Sequence, residues 1–177
     1  MRTHTSQFEF LPLGLQYYVG GRFLALQLQT PVAGNLLHHA IELFLKAALS
    51  DLPIKKLRSR KDFGHDLLKL WAEFSQRSGG SNEQHVKAIN DINKFEEIRY
   101  PSENVEELSL HLAIFRQKDG KNMGPSEAYS FVLEEVDSLV SFILSYPKIS
   151  GFINNMTAHF SELSKNSLLE ANKYPII

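Results

Sequence analysis

Five polar side chains interrupt an otherwise apolar run, and their types are the ones able to do chemistry. In PVAGNLLHHAIELFLKAALS, residues 31–50, the residues Asn35, His38, His39, Glu42 and Lys46 fall within an arc of about 100° at helical spacing. His38 and Glu42 stand at i,i+4, a separation that lets two side chains meet a common ion, and His39 lies beside them. The run is not the H-E-x-x-H metalloprotease motif and supplies no third ligand, so no metal is assigned, and His38, His39, Glu42 and Lys46 are read as candidate binding residues on the wall of a shared polar cleft. Glu42 and Lys46 form an i,i+4 pair in the favourable order, worth about 0.3–0.5 kcal/mol if exposed. A second group is cationic. Residues 55–61 place Lys55, Lys56, Arg58, Arg60 and Lys61 in seven positions. The plain reading is a solvated inter-helix loop, and the binding alternative rests on Arg58 and Arg60. Arg99 is the third feature. At helical spacing it projects onto the narrow face shared by Ala88, Ile92 and Phe95, where a guanidinium needs an acid or a ligand unless its stem packs and its head reaches water.

The elements that position these residues follow from periodicity and stop signals. A first helix is predicted from about Leu13 to Leu28, with Gly20-Gly21 as a kink or split, after a loosely anchored tail over residues 1–10 from which Phe8, Phe10 and Leu11 can tuck against the core. Thr30-Pro31 reads as an N-cap followed by proline at the first helical position. The helix it opens is apolar over about two-thirds of its circumference, which requires neighbours on most sides and makes it central. Asp51-Leu52-Pro53 ends it. A third helix is predicted from about Asp62 to Arg77, with Leu67, Leu70, Trp71 and Phe74 on one face and His65 pointing away from it. Gly79-Gly80 breaks that helix, and Ser81-x-x-Gln84 matches a capping box that opens a fourth, to about Arg99. Leu108–Ile114 alternates as a short strand does, and the turn signals after it suit a hairpin or an extended insert. A fifth helix is predicted from Glu127 to Ser145 and a last amphipathic segment from Ile149 to Ala171.

At 177 residues, 43% hydrophobic and 22% charged, the composition is that of one ordinary globular domain. A net charge of −1 excludes bulk electrostatic attraction to nucleic acid and leaves only local patches for that role. The absence of cysteine excludes disulfides and thiolate metal sites, and with no cationic-plus-apolar leader it predicts a cytoplasmic protein. No segment approaches the apolar length of a membrane span. No phosphate-binding glycine loop, nucleophile elbow or dinucleotide fingerprint occurs, so no cofactor is expected.

Three stretches taken in order, GNLLHHAIELFLKAAL at 34–49, FGHDLLKLW at 63–71 and INKFEEIRYP at 92–101, resemble the HEPN family of small helical domains. They are similar to that family's "HA-x-E-x-x-x-K-x-x-L" helix, its "GH-x-L-x-x-L" helix start and the "RYP" end of a later helix. The resemblance covers about residues 15–145. It implies an up-and-down bundle, commonly dimeric, among whose members are ribonucleases of toxin–antitoxin and defence systems and non-catalytic relatives associated with nucleotides or RNA. The family's catalytic pattern is an arginine followed four to six residues later by histidine. Arg99 matches the arginine, whereas the window holds Glu103, Asn104 and Val105, and the nearest downstream histidine, His111, is twelve residues on. Metal-free cleavage through the 2′-hydroxyl needs one group to take its proton, one to protonate the leaving oxygen and a cation on the phosphate.

The expectation is therefore an all-α, up-and-down bundle of four or more helices, a single domain over residues 1–177 with a short extended or β-like insert near 106–124. The resemblance implies a non-catalytic, homodimeric domain that binds RNA, a nucleotide or a protein partner such as an antitoxin. One alternative is a divergent metal-independent ribonuclease in which Arg99 works with His65 or His111. Another is a purely structural protein-interaction module.

Overall fold

The computed structural model describes residues 5–79, 82–99, 110–116 and 129–177. Within them an antiparallel pair of long helices, α1 (Thr5–Leu26) and α2 (Thr30–Ala48), forms the spine. Glycines set how closely they lie: a Cβ on Gly21 would come within 2.9 Å of Leu37. That contact carries α1 unbroken through Gly20-Gly21, so the pair does not split the helix, because packing against α2 outweighs its low helix propensity. The helix also starts earlier than predicted, with Pro12 inside it, and Phe10 and Leu11 are buried; the Phe8 side chain lies outside the described residues.

Short α3 (Ile54–Arg58) follows α2, and then come α4 (Leu67–Ser78) and α5 (Glu83–Asn93), which tightens into a 3-10 turn over Lys94–Arg99. The predicted third helix begins five residues late because Asp66 is its N-cap, its side chain accepting from the Lys69 amide at 3.1 Å. Residues 62–66 form the turn before it. The predicted capping serine, Ser81, lies outside the described residues.

After residue 109 the chain forms β1 (Leu110–Ala113), paired in parallel with β2 (Tyr129–Val132) in the register Leu110↔Tyr129 to Ala113↔Val132. Being parallel, these two strands are not the arms of a hairpin, and the turn signals at Asp119-Gly120 and Asn122-Met123-Gly124 lie outside the described residues. The expected first turn of the fifth helix is strand instead, as its Tyr-Ser-Phe-Val composition permits, and Phe131 faces the core, with its ring 5.4 Å from that of Phe95. Helix α6 (Leu133–Leu144) follows. The predicted last amphipathic segment is two helices, α7 (Pro147–Thr157) and α8 (Glu162–Leu169), divided where Ser161 caps α8. Both pack on α1 of the same chain.

The all-α bundle with a small β insert is thus observed, and α2 is its centre: α1, α4, α5, α6, α7 and β1 all touch it. No helix among the described residues is long and apolar enough to cross a membrane. The tightest contact on α2 is at Gly34, where an added Cβ would lie 2.1 Å from the Phe95 ring. Gly34→Ala is expected to destabilise the fold by about 1–3 kcal/mol or more through overpacking, although alanine is the better helix former by about 1 kcal/mol. Urea denaturation checks this, and an unchanged or raised midpoint would contradict the packing.

Candidate functional site

The polar stripe of α2 splits on folding. His38 turns inward, its Nδ1 3.3 Å from the carbonyl of Ile92 and its Nε2 3.5 Å from a Glu96 carboxylate oxygen. Burial lowers its pKa, against the opposing pull of Glu96 and Glu42. His39, Glu42 and Lys46 face the turn that precedes α4, and there they meet His65.

Glu42 is the hub. Its Oε1 accepts from Lys46 Nζ at 2.6 Å, and its Oε2 lies 3.0 Å from His65 Nδ1 and 3.4 Å from His39 Nδ1. Lys46 Nζ also donates to the Gly64 carbonyl at 2.6 Å, which ties the turn to α2. Gly64 adopts φ +52°, a left-handed conformation suited to glycine, and this turn swings His65 over Glu42. Burial by itself would raise the Glu42 pKa. The hydrogen bonds from His39, Lys46 and His65 and the Lys46 charge outweigh it and hold the carboxyl at about 2. An ionised carboxylate only accepts hydrogen bonds, so each bonded imidazole carries its proton on Nδ1, and Nε2 is the basic atom of the neutral ring. The side chains of Glu42 and Lys46 are 5% exposed, that of His39 14% and that of His65 45%. The cluster therefore runs from a buried ion pair to an imidazole in solvent.

The basic segment adjoins this cluster. The Cα of Arg60 sits 3.0 Å from where a Gly64 Cβ would be, and Lys56 lies over the Phe63 ring at 5.4 Å. Arg58 is occupied by Glu9 at 3.0 Å and stacks over Phe10. Lys55, Arg60 and Lys61 are exposed and form no ion pair among the described residues.

Of the residues singled out in the sequence, the structure brings His39, Glu42, Lys46 and His65 together and sets Arg60 beside them. His111 is half-buried on β1, opposite Ser130, while the hydrogen-bond partners of Glu42 are His39, Lys46 and His65. The backbone of Arg99 ends the 3-10 turn, and its side chain lies outside the described residues.

Sequence reasoning missed a second buried network. Arg22, fully enclosed, pairs with Asp137 of α6 and donates to the carbonyls of Ser167 (2.9 Å) and Glu170 (2.6 Å), while the Tyr18 hydroxyl donates to Asp137 at 2.6 Å. A signal existed: Leu11, Leu15, Tyr18, Arg22 and Ala25 recur at core-facing helical spacing, so the arginine stands on an apolar stripe.

Comparison with protein-family models, curated proteins and solved structures gives no match to this chain.

Proposed function

We propose that the chain is a HEPN-like helical domain that binds RNA through its phosphates without cleaving it, and that it acts as a homodimer. The observation that carries the binding surface is the Gly64 turn, which stacks the segment Lys55–Lys61 beside an imidazole fixed by a buried carboxylate. Exposed Lys55, Arg60 and Lys61 supply the local positive charge that a net charge of −1 lacks overall. His65 supplies a planar ring for stacking and a hydrogen-bonding edge. The ordered trio of sequence motifs, two of which contribute to this cluster, supports the HEPN-like reading.

Anisotropy titrations of a fluorescent single-stranded RNA over a range of salt test it. Replacing Lys55, Arg60 and Lys61 by serine is expected to lower the salt slope by about 2, at roughly 0.7 per phosphate contact on a single strand. An unchanged slope, or no binding by the wild type, would remove this reading.

A second reading is favoured by the two imidazoles on one ionised carboxylate, which is a general acid–base arrangement suited to metal-independent ribonuclease chemistry. RNA cleavage in excess chelator, abolished in His65→Ala or in Arg99→Ala, would establish it in place of the non-catalytic one.

A further inference from the structure

The geometry points to a divalent transition-metal site made of His39 Nδ1, Glu42 Oε2 and His65 Nδ1, suited to zinc. One donor atom from each of the three residues lies within 4.8 Å of the others, and they come from two elements, α2 and the turn before α4. Zinc takes nitrogen and carboxylate ligands at about 2.0–2.2 Å in a tetrahedron, so neighbouring donors stand roughly 3.4 Å apart. Of the two distances to Glu42 Oε2, that from His39, 3.4 Å, equals such an edge and that from His65, 3.0 Å, is shorter, while the donor set as a whole spans up to 4.8 Å and closes on the ion. To bind an ion each ring moves its proton from Nδ1 to Nε2 through solvent, so that a neutral imidazole offers its Nδ1 lone pair and Nε2 keeps the N–H. Two imidazoles and one carboxylate leave a fourth position for water or another ligand, and His65, 45% exposed, puts one edge of the donor set at the surface.

Three further features fit a metal ion. The carboxylate is oriented from behind: Lys46 Nζ holds Oε1 and is itself anchored on the Gly64 carbonyl, so Oε2 is presented to the rings. The two elements that carry the donors are tied to each other by the Lys46–Gly64 bond, so the donors are gathered before an ion arrives. The donor set also discriminates, because imidazole nitrogens suit zinc and its transition-metal neighbours, whereas magnesium and calcium want oxygen. The Lys46 ammonium opposes a second cation, and its placement on the far oxygen, shared with a backbone carbonyl, limits that repulsion. His38 is no ligand, since its nitrogens face Ile92 and Glu96.

The site stands apart from the RNA reading, because it is tested with the metal alone. The 177-residue protein, stripped with chelator and dialysed, is titrated calorimetrically with zinc chloride and, separately, with magnesium chloride. One zinc per chain is expected, with zinc affinity lowered at least tenfold in His65→Ala and in His39→Ala and unchanged in His159→Ala. Circular dichroism verifies that the variants are folded, and His65, exposed in a turn, is the one most readily replaced. Cobalt(II) in place of zinc is expected to give the intense visible absorption of a four-coordinate ion, absent in His65→Ala. Absence of zinc binding to the wild type, zinc binding undiminished in His65→Ala, or magnesium binding as tight as zinc would each overturn the proposal.

Discussion

Asp137→Ala is expected to lower the unfolding free energy by about 3–5 kcal/mol, because it strands a guanidinium that has no route to water. Arg22 and Asp137 are both fully buried and face each other directly across the α1–α6 contact. Burial pushes the Asp137 carboxyl up to about 6, with Arg22 and the Tyr18 hydroxyl opposing, so it is ionised at neutral pH. Without it, Arg22 keeps the neutral carbonyls of Ser167 and Glu170 and the face of the Tyr18 ring, 5.9 Å away, with no counter-charge, and the Tyr18 hydroxyl loses its acceptor. Those carbonyls belong to the C-terminal end of α8, where helix geometry leaves the last four without intrahelical donors. Arg22 thus caps α8 from α1, and the same pair locks the C-terminal helix onto the bundle. Two measurements separate charge from packing. Urea denaturation should show the double replacement Arg22→Met with Asp137→Leu costing less than Asp137→Ala alone, since removing both charges leaves none stranded. Hydrogen exchange in α8 should quicken in both. An Asp137→Ala protein within about 1 kcal/mol of wild type would contradict the buried pair.

How much of this was legible beforehand depended on whether a residue's neighbours were local. Helix α2 could be recognised as central because an apolar surface that wide has only one physical use. The stop at Pro53, the break at Gly79 and the strand-like alternation of Leu110–Ala113 are local signals and were readable. The split expected at Gly20-Gly21 did not appear, because packing on Leu37 decides the helix there, and no local propensity reports it. The parallel partner of β1 begins nineteen residues downstream of it, in a segment whose aromatic and β-branched residues suit a helix face and a strand equally. At the candidate site, the stripe on α2 was visible, and His65 stood out as a histidine on the outer side of its helix start. What joins them is the left-handed turn at Gly64 and the Lys46 bond to its carbonyl, across eighteen residues. That is tertiary geometry, so one sequence could not show that His39 and not the i,i+4 partner His38 stays beside Glu42, or that His65 joins them.

Glu42→Ala is expected to cost a similar 3–5 kcal/mol at neutral pH in metal-free protein, since it leaves the buried Lys46 ammonium with the Gly64 carbonyl alone. Its pH dependence identifies the carboxylate as the cause. The folded state holds Glu42 at about 2 against an ordinary 4.5, so between those values the unfolded chain binds more protons. Stability from this group is therefore complete above about pH 4.5 and is lost as the pH falls toward 2. The difference, about 2.5 units, corresponds to about 3 kcal/mol. Denaturation curves of wild type and Glu42→Ala should accordingly differ by the full amount at pH 7 and converge by about 3 kcal/mol near pH 2. The comparison cancels the other acids, Asp137 included, because they titrate in both proteins. Parallel curves would mean that Glu42 contributes by packing and not by charge. They would also leave the orientation of His39 and His65 without its electrostatic cause, since both rings are held by the same ionised oxygen.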